Sequence, residues 1–164
     1  MLTYTAPSGE IVTKGFYSKI SEEFTHVAGE KVSLTATMGS TTITGAATTT
    51  PNQSVTNLAN SGTTLPFDVT WDVSTDDTFH AEYTWVKLTN VLDPTKSYQV
   101  LVPIATESVT ITSNHIETGS YMATAFCVNK MTITGGRSGS EVLVGSTATA
   151  ATTSTFQVTA PTAP

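Results

Sequence analysis

The densest group of chemically capable side chains lies in WDVSTDDTFHAE, which brings Asp72, Asp76, Asp77, His80 and Glu82 into one short stretch. Carboxylates at such spacings could ligate Ca²⁺, a hard cation that takes six to eight oxygens. The stretch lacks the D-x-D-x-D-G order and closing Glu of an EF-hand loop. The plainer expectation is an acidic hairpin tip whose Asp side chains hydrogen-bond turn amides. The three histidines, His26, His80 and His115, form no H-x-x-x-H pair and no other zinc spacing. Ser138 in GGRSGS misses the G-x-S-x-G elbow because Ser140 stands where the second glycine belongs. With so many serines, a Ser/His/Asp set drawn on paper carries no weight, and the chain is expected to have no catalytic residue, no cofactor and no structural metal.

The single cysteine, Cys127, sits in the apolar run YMATAFCV and reads as a small buried hydrophobe. An intramolecular disulfide is impossible. Arg137, the sole arginine, falls in the glycine-rich GGRSGS segment and is a candidate contact residue, since Arg is enriched at interface hot spots. Trp71, Trp85, Tyr83 and Phe79 could form an aromatic sugar-binding platform, but their alternation with aliphatic residues favours core packing. The terminal PTAP (Pro161 to Pro164) matches a viral late-domain tetrapeptide and reads more simply as an extended tail. Asn52-Gln53-Ser54 is a glycosylation sequon that matters only on secretion.

The elements that would position these residues are strands. Roughly one residue in three is Thr or Ser, and β-branched Thr suits a pleated strand with one wet face. Lys31 to Met38 alternates, and Gly39-Ser40 turns it into TTITGA as a hairpin. LPFDVTWDV sets Phe67, Val69, Trp71 and Val73 on one side. In FHAEYTWVKLTNV the same parity puts Phe79, Ala81, Tyr83 and Trp85 together, so both tryptophans are expected in one core. Asp93-Pro94 starts a turn into SYQVLVPI, with Tyr98, Val100, Val102 and Ile104 alternating. SVTITS, SYMATAFCV, KMTITGG, EVLVG and STFQVTA continue the style, with GGRSGS as a hairpin loop. A short helix over Phe16 to Glu30 is the one helical candidate.

These signals predict an all-β chain: an antiparallel β-sandwich or barrel-like domain with extended polar termini and at most one short helix. Residues 1–9 read as an N-terminal arm, 10–158 as one β domain with 45–64 as a long polar loop, and 159–164 as a C-terminal tail. At 164 residues the chain needs no staple to fold. Only 7 Lys and Arg and a formal net charge of −6 argue against nucleic-acid binding. No stretch reaches the apolar length of a membrane helix, and the N-terminus has no signal-peptide pattern.

A leaderless all-β chain rich in Thr, Ala, Ser and Gly, with polar ends, resembles the small virion proteins of tailed bacteriophages, of the capsid decoration (cement) type. The resemblance implies a homotrimer on the major capsid protein lattice, made in the host cytoplasm, with termini and loops bridging capsomers. Candidate partner contacts are Leu2, Tyr4, Pro7, Pro51, Asn52, Arg137 and Pro161. A tail-tube or neck protein, and a carbohydrate-binding or adhesin module, are the alternatives. Thermal unfolding is expected to give the same midpoint with and without EDTA. A large drop on chelation would establish the acidic stretch as a Ca²⁺ site, because a ligand bound only to the native state raises its stability.

Overall fold

The computed structural model describes residues 2–5, 11–14, 29–49, 53–74, 81–135, 142–145 and 150–161, with side chains from residue 29 onward except at 34, 36, 38 and 142. All regular structure among them is strand. In chain order the strands are β1 (Leu2–Thr5), β2 (Ile11–Lys14), β3 (Lys31–Met38), β4 (Thr41–Thr48), β5 (Val55–Asn60), β6 (Phe67–Val73), β7 (Tyr83–Asn90), β8 (Ser97–Pro103), β9 (Ser108–Ile111), β10 (Gly119–Thr134), β11 (Val142–Gly145), β12 (Ala151–Thr152) and β13 (Phe156–Val158). No helix among the described residues is long and apolar enough to cross a membrane.

Pairing is antiparallel between all named strands. β1 and β2 form a two-stranded ribbon. β5–β6–β9 form a three-stranded sheet, and the other strands form a large sheet in the order β3–β4–β10–β7–β8. β10 organises that sheet. Tyr121 to Val128 pair with β7, while β13, β12 and β11 pair in succession with the opposite edge. Its last residues, Thr132 to Thr134, pair with β4. At the junction the buried Asn129 Oδ1 accepts from the Glu82 amide at 2.9 Å, and its Nδ2 donates to the Thr48 carbonyl at 3.0 Å.

The core lies between the two larger sheets. β6 alternates as its sequence dictates, with Phe67, Val69 and Trp71 buried and Asp68, Thr70 and Asp72 exposed. Ile111 of β9 joins them, and across the sandwich they meet Val86, Leu88, Tyr121, Ala123, Ala125 and Cys127. Tyr98, Val100, Val102 and Ile104 pack on this cluster, as their alternation predicts. Phe67 and Phe156 close one part edge to face, with centroids 5.8 Å apart.

Three expectations are corrected. First, β7 turns its other parity inward: Thr84, Val86 and Leu88 are buried, while Tyr83 and Trp85 are only half-buried on the outer face. The register explains this, because Val86 lies opposite Ala125 and Leu88 opposite Ala123, small residues that leave room for aliphatic side chains. Trp71 alone of the two tryptophans is in the core. Second, residues 45–64 are no long loop; the end of β4 and all of β5 run through them. Third, neither end is a free arm over its whole length. Leu2–Thr5 pairs with Ile11–Lys14, and Thr159 forms a parallel bridge with Thr64, its amide donating to the Thr63 carbonyl at 2.8 Å. The helix candidate lies outside the described residues apart from Gly29 and Glu30.

Among the described residues, two buried polar atoms, Trp71 Nε1 and Thr84 Oγ1, have no hydrogen-bond partner. A buried hydroxyl left unsatisfied costs about 1–3 kcal/mol. Thr84→Val, of nearly the same shape, is therefore expected to stabilise the fold by about 1 kcal/mol. Urea unfolding checks this, and a lower midpoint for the Val variant would contradict it.

Candidate functional site

The most regular exposed surface is built by β3, β4 and the end of β10. Their register sets Thr37 opposite Thr42, Thr35 opposite Thr44, and Thr44 in turn opposite Thr134. Ser33 lies opposite Ala46, which faces Thr132 on its other side. All eight of these residues are exposed. Side chains on one face of a strand recur every second residue, and neighbouring strands lie about 4.8 Å apart, so the hydroxyls form a two-dimensional array. Thr37 and Thr42 hydroxyls are 3.3 Å apart, and those of Thr44 and Thr134 are 2.8 Å apart. On the opposite face Ile43, Gly45, Ala47 and Ile133 are half-buried. Gly45 is required there, since a Cβ would stand 2.8 Å from both Ile133 and the Met131 sulfur. No described side chain of β3 or β4 belongs to the core cluster.

The hairpin owes its form to Gly39. Its φ of +61°, with no positive φ at Ser40, gives the II′ turn that matches strand twist. Eight pairs follow from Met38↔Thr41 to Lys31↔Thr48 without a register shift.

A second feature, half-buried on the outer face of β7 and β10, is aromatic. Trp85 lies opposite Phe126 on one side and Leu101 on the other. The Trp85 and Phe126 rings meet at 4.9 Å and 65°, and the Lys130 ammonium lies 5.1 Å over the Tyr83 ring. The third is the β7–β8 turn, where Leu92 is 86% exposed. Asn90 Oδ1 accepts from the amides of Leu92 and Asp93, both at 3.0 Å. Asp93 accepts from the Thr95 amide and hydroxyl, which holds its carboxyl below the usual range. Lys96 and Glu117 form an exposed ion pair at 3.1 Å, a contact worth little to stability.

Among the described residues, those singled out for chemistry do not assemble. Asp72 accepts from Asn57 Nδ2 at 2.6 Å on an exposed strand face, and the Glu82 carboxylate is 3.5 Å from the Lys130 amide. Asp76, Asp77 and His80 lie outside the described residues, as do His26 and Ser138. Among the described residues no group of His, Cys, Asp and Glu could hold a metal ion. His115 accepts from the Thr112 amide at 3.3 Å and stacks on Tyr98, ring centroids 4.4 Å apart. Of the candidate contacts, Pro161 is exposed, and Leu2 and Tyr4 belong to β1. Pro7, Pro51, Asn52 and Arg137 lie outside the described residues. The Thr array and the outward Trp85 were not anticipated. Their signal was present as two competing apolar parities in YTWVKL and as TxT spacing in both KVSLTATM and KMTITGG.

Cys127 is fully buried, and burial pushes its thiol from an ordinary 9.0 up to about 11. The unfolded thiol ionises first, so its contribution to stability is intact below pH 9 and is lost as pH rises towards 11. A Cys127→Ala variant is expected to show a flatter decline of urea midpoint over that window. Equal slopes would place the alkaline loss elsewhere. Comparison of the chain with protein-family models, curated proteins and solved structures gives no match, so the surfaces themselves carry the functional reading.

Proposed function

We propose that this chain is a virion structural protein of the capsid decoration type, which binds the outside of a phage head and strengthens it. The observation that supports this reading is the three-stranded Thr face of β3, β4 and β10, ordered by strand pairing yet outside the core cluster. Hydroxyls on a fixed lattice can pair with a partner that presents a repeating surface, and burying them is tolerable only when they are paired. Several copies on one lattice strengthen the attachment by avidity. In this reading the protein has no catalytic residue, and its partner is the major capsid protein, with copies of the chain grouped as trimers.

A second reading, a carbohydrate-binding module, draws on Trp85. Its outward position beside Phe126 and Tyr83 offers a glycan an apolar face.

Heads prepared without the protein are the test of the first reading. Added protein is expected to occupy them at a fixed stoichiometry and to raise the temperature at which they release DNA. Removal of residues 161–164, which lie beyond the Thr159 bridge, is expected to weaken attachment while leaving the unfolding midpoint unchanged. Heads that take up no protein would refute the decoration reading. Rings or tubes in negative stain would favour the tail-tube alternative. Quenching of Trp85 fluorescence by an oligosaccharide, lost in Trp85→Ala, would favour the glycan module.

A further inference from the structure

We infer that β3 is a self-pairing edge through which two copies of this chain join by strand addition. The inference rests on the reading of the chain as an assembly component and names the surface by which its copies meet. β3 ends the large sheet, and among the described residues no strand pairs with its outer edge. An open strand edge is a template for another chain, and proteins ordinarily blunt it with short strands, bulges, proline or charge. The other sheet ends here are blunted. β9, β11, β12 and β13 have four residues or fewer. β5 carries a register shift between Thr56 and Ala59, with Asn57 at φ +51°. β8 ends in Pro103. β3 has eight residues, an unbroken register, no proline and one charge, Lys31, at its start.

The chemistry of the edge selects a second copy as its occupant. Met38 and Thr41 flank a two-residue turn and so form a hydrogen-bonded pair, and such pairs alternate along an antiparallel ladder. Ser33, Thr35 and Thr37 therefore turn their N–H and C=O groups towards the open edge. A two-fold axis at Thr35 sets it opposite Thr35 of the partner subunit, and Ser33 opposite Thr37 of the partner subunit. Residues directly opposite share a face, so the exposed Ser33–Thr35–Thr37 row of each copy continues the Thr array of the other. Lys31 falls opposite Gly39 of the partner subunit, and no like charges meet. The whole chain carries a formal net charge of −6, a repulsion between copies that opposes any contact lacking such pairing. An isologous contact of this kind closes on itself and links copies in pairs, whatever other symmetry the particle has.

Cross-linking and sedimentation test this on the full chain. Thr35→Cys is expected to give a covalent dimer on mild oxidation. Thr44→Cys, equally exposed but one strand inward, is expected to give none, because its counterpart would lie about 14 Å away across three strand spacings. Cys127 is buried in both. Thr35→Pro removes an outward N–H and is expected to raise the dimer dissociation constant about tenfold or more, the equivalent of one lost backbone pairing, with the monomer's unfolding midpoint unchanged. A wild-type chain that stays monomeric at high concentration, or Thr35→Cys that cross-links no faster than Thr44→Cys, would overturn the inference. If Thr35→Pro still occupies heads fully, the decoration reading stands apart from the edge. If heads take up neither protein while Thr35→Cys dimerises, self-pairing stands and the decoration reading falls.

Discussion

The sixteen residues of β10 carry hydrogen-bonding groups on both edges, and those groups must be paired wherever the strand is buried. That requirement fixes most of the architecture. β7 satisfies one edge, and β13, β12 and β11 share the other, so the last three strands are laid alongside the strand that the chain has just left. Where β7 ends, β4 takes over, and the Asn129 amide supplies the donor and acceptor that two mismatched strand ends leave short. An apolar residue at 129 would leave both the Glu82 amide and the Thr48 carbonyl wanting. The polar side chain therefore holds the passage from sandwich to projecting hairpin.

Much of this was legible in the residues. The strand segments, the Gly39-Ser40 turn and the inward row of Phe67, Val69 and Trp71 follow from period-two alternation and turn chemistry. The parity of β7 was not, because YTWVKL offers aromatic residues on one face and aliphatic ones on the other. Only its neighbours decide between them. Val86 and Leu88 fill the space that Ala125 and Ala123 leave on the inner face, so Trp85 falls on the outer one. Residues 45–64 misled for a related reason. Thr, Asn and Ala in a polar run look like loop until a partner strand shows that one wet face is all they need.

Candidate surfaces were harder to read than the fold. Motif logic looks for carboxylates, imidazoles and thiols, whereas the distinctive surface here consists of hydroxyls whose meaning lies in their register. Thr134 matters because it lies opposite Thr44, ninety residues earlier in the chain. No spacing rule within a single segment reports such a relation.

The length and lateness of β10 also set the order of events during synthesis. β3 to β8 all leave the ribosome before the strand that β4 and β7 share as a neighbour. Until then the nascent chain can make only its sequence-local contacts, such as the β3–β4 hairpin and the β7–β8 pair, while the apolar faces of β6 and β7 wait for their cover. Long-range pairing brings its reward only after loop closure has been met. Closure of the sandwich thus waits until β10 and the strands after it have left the exit tunnel.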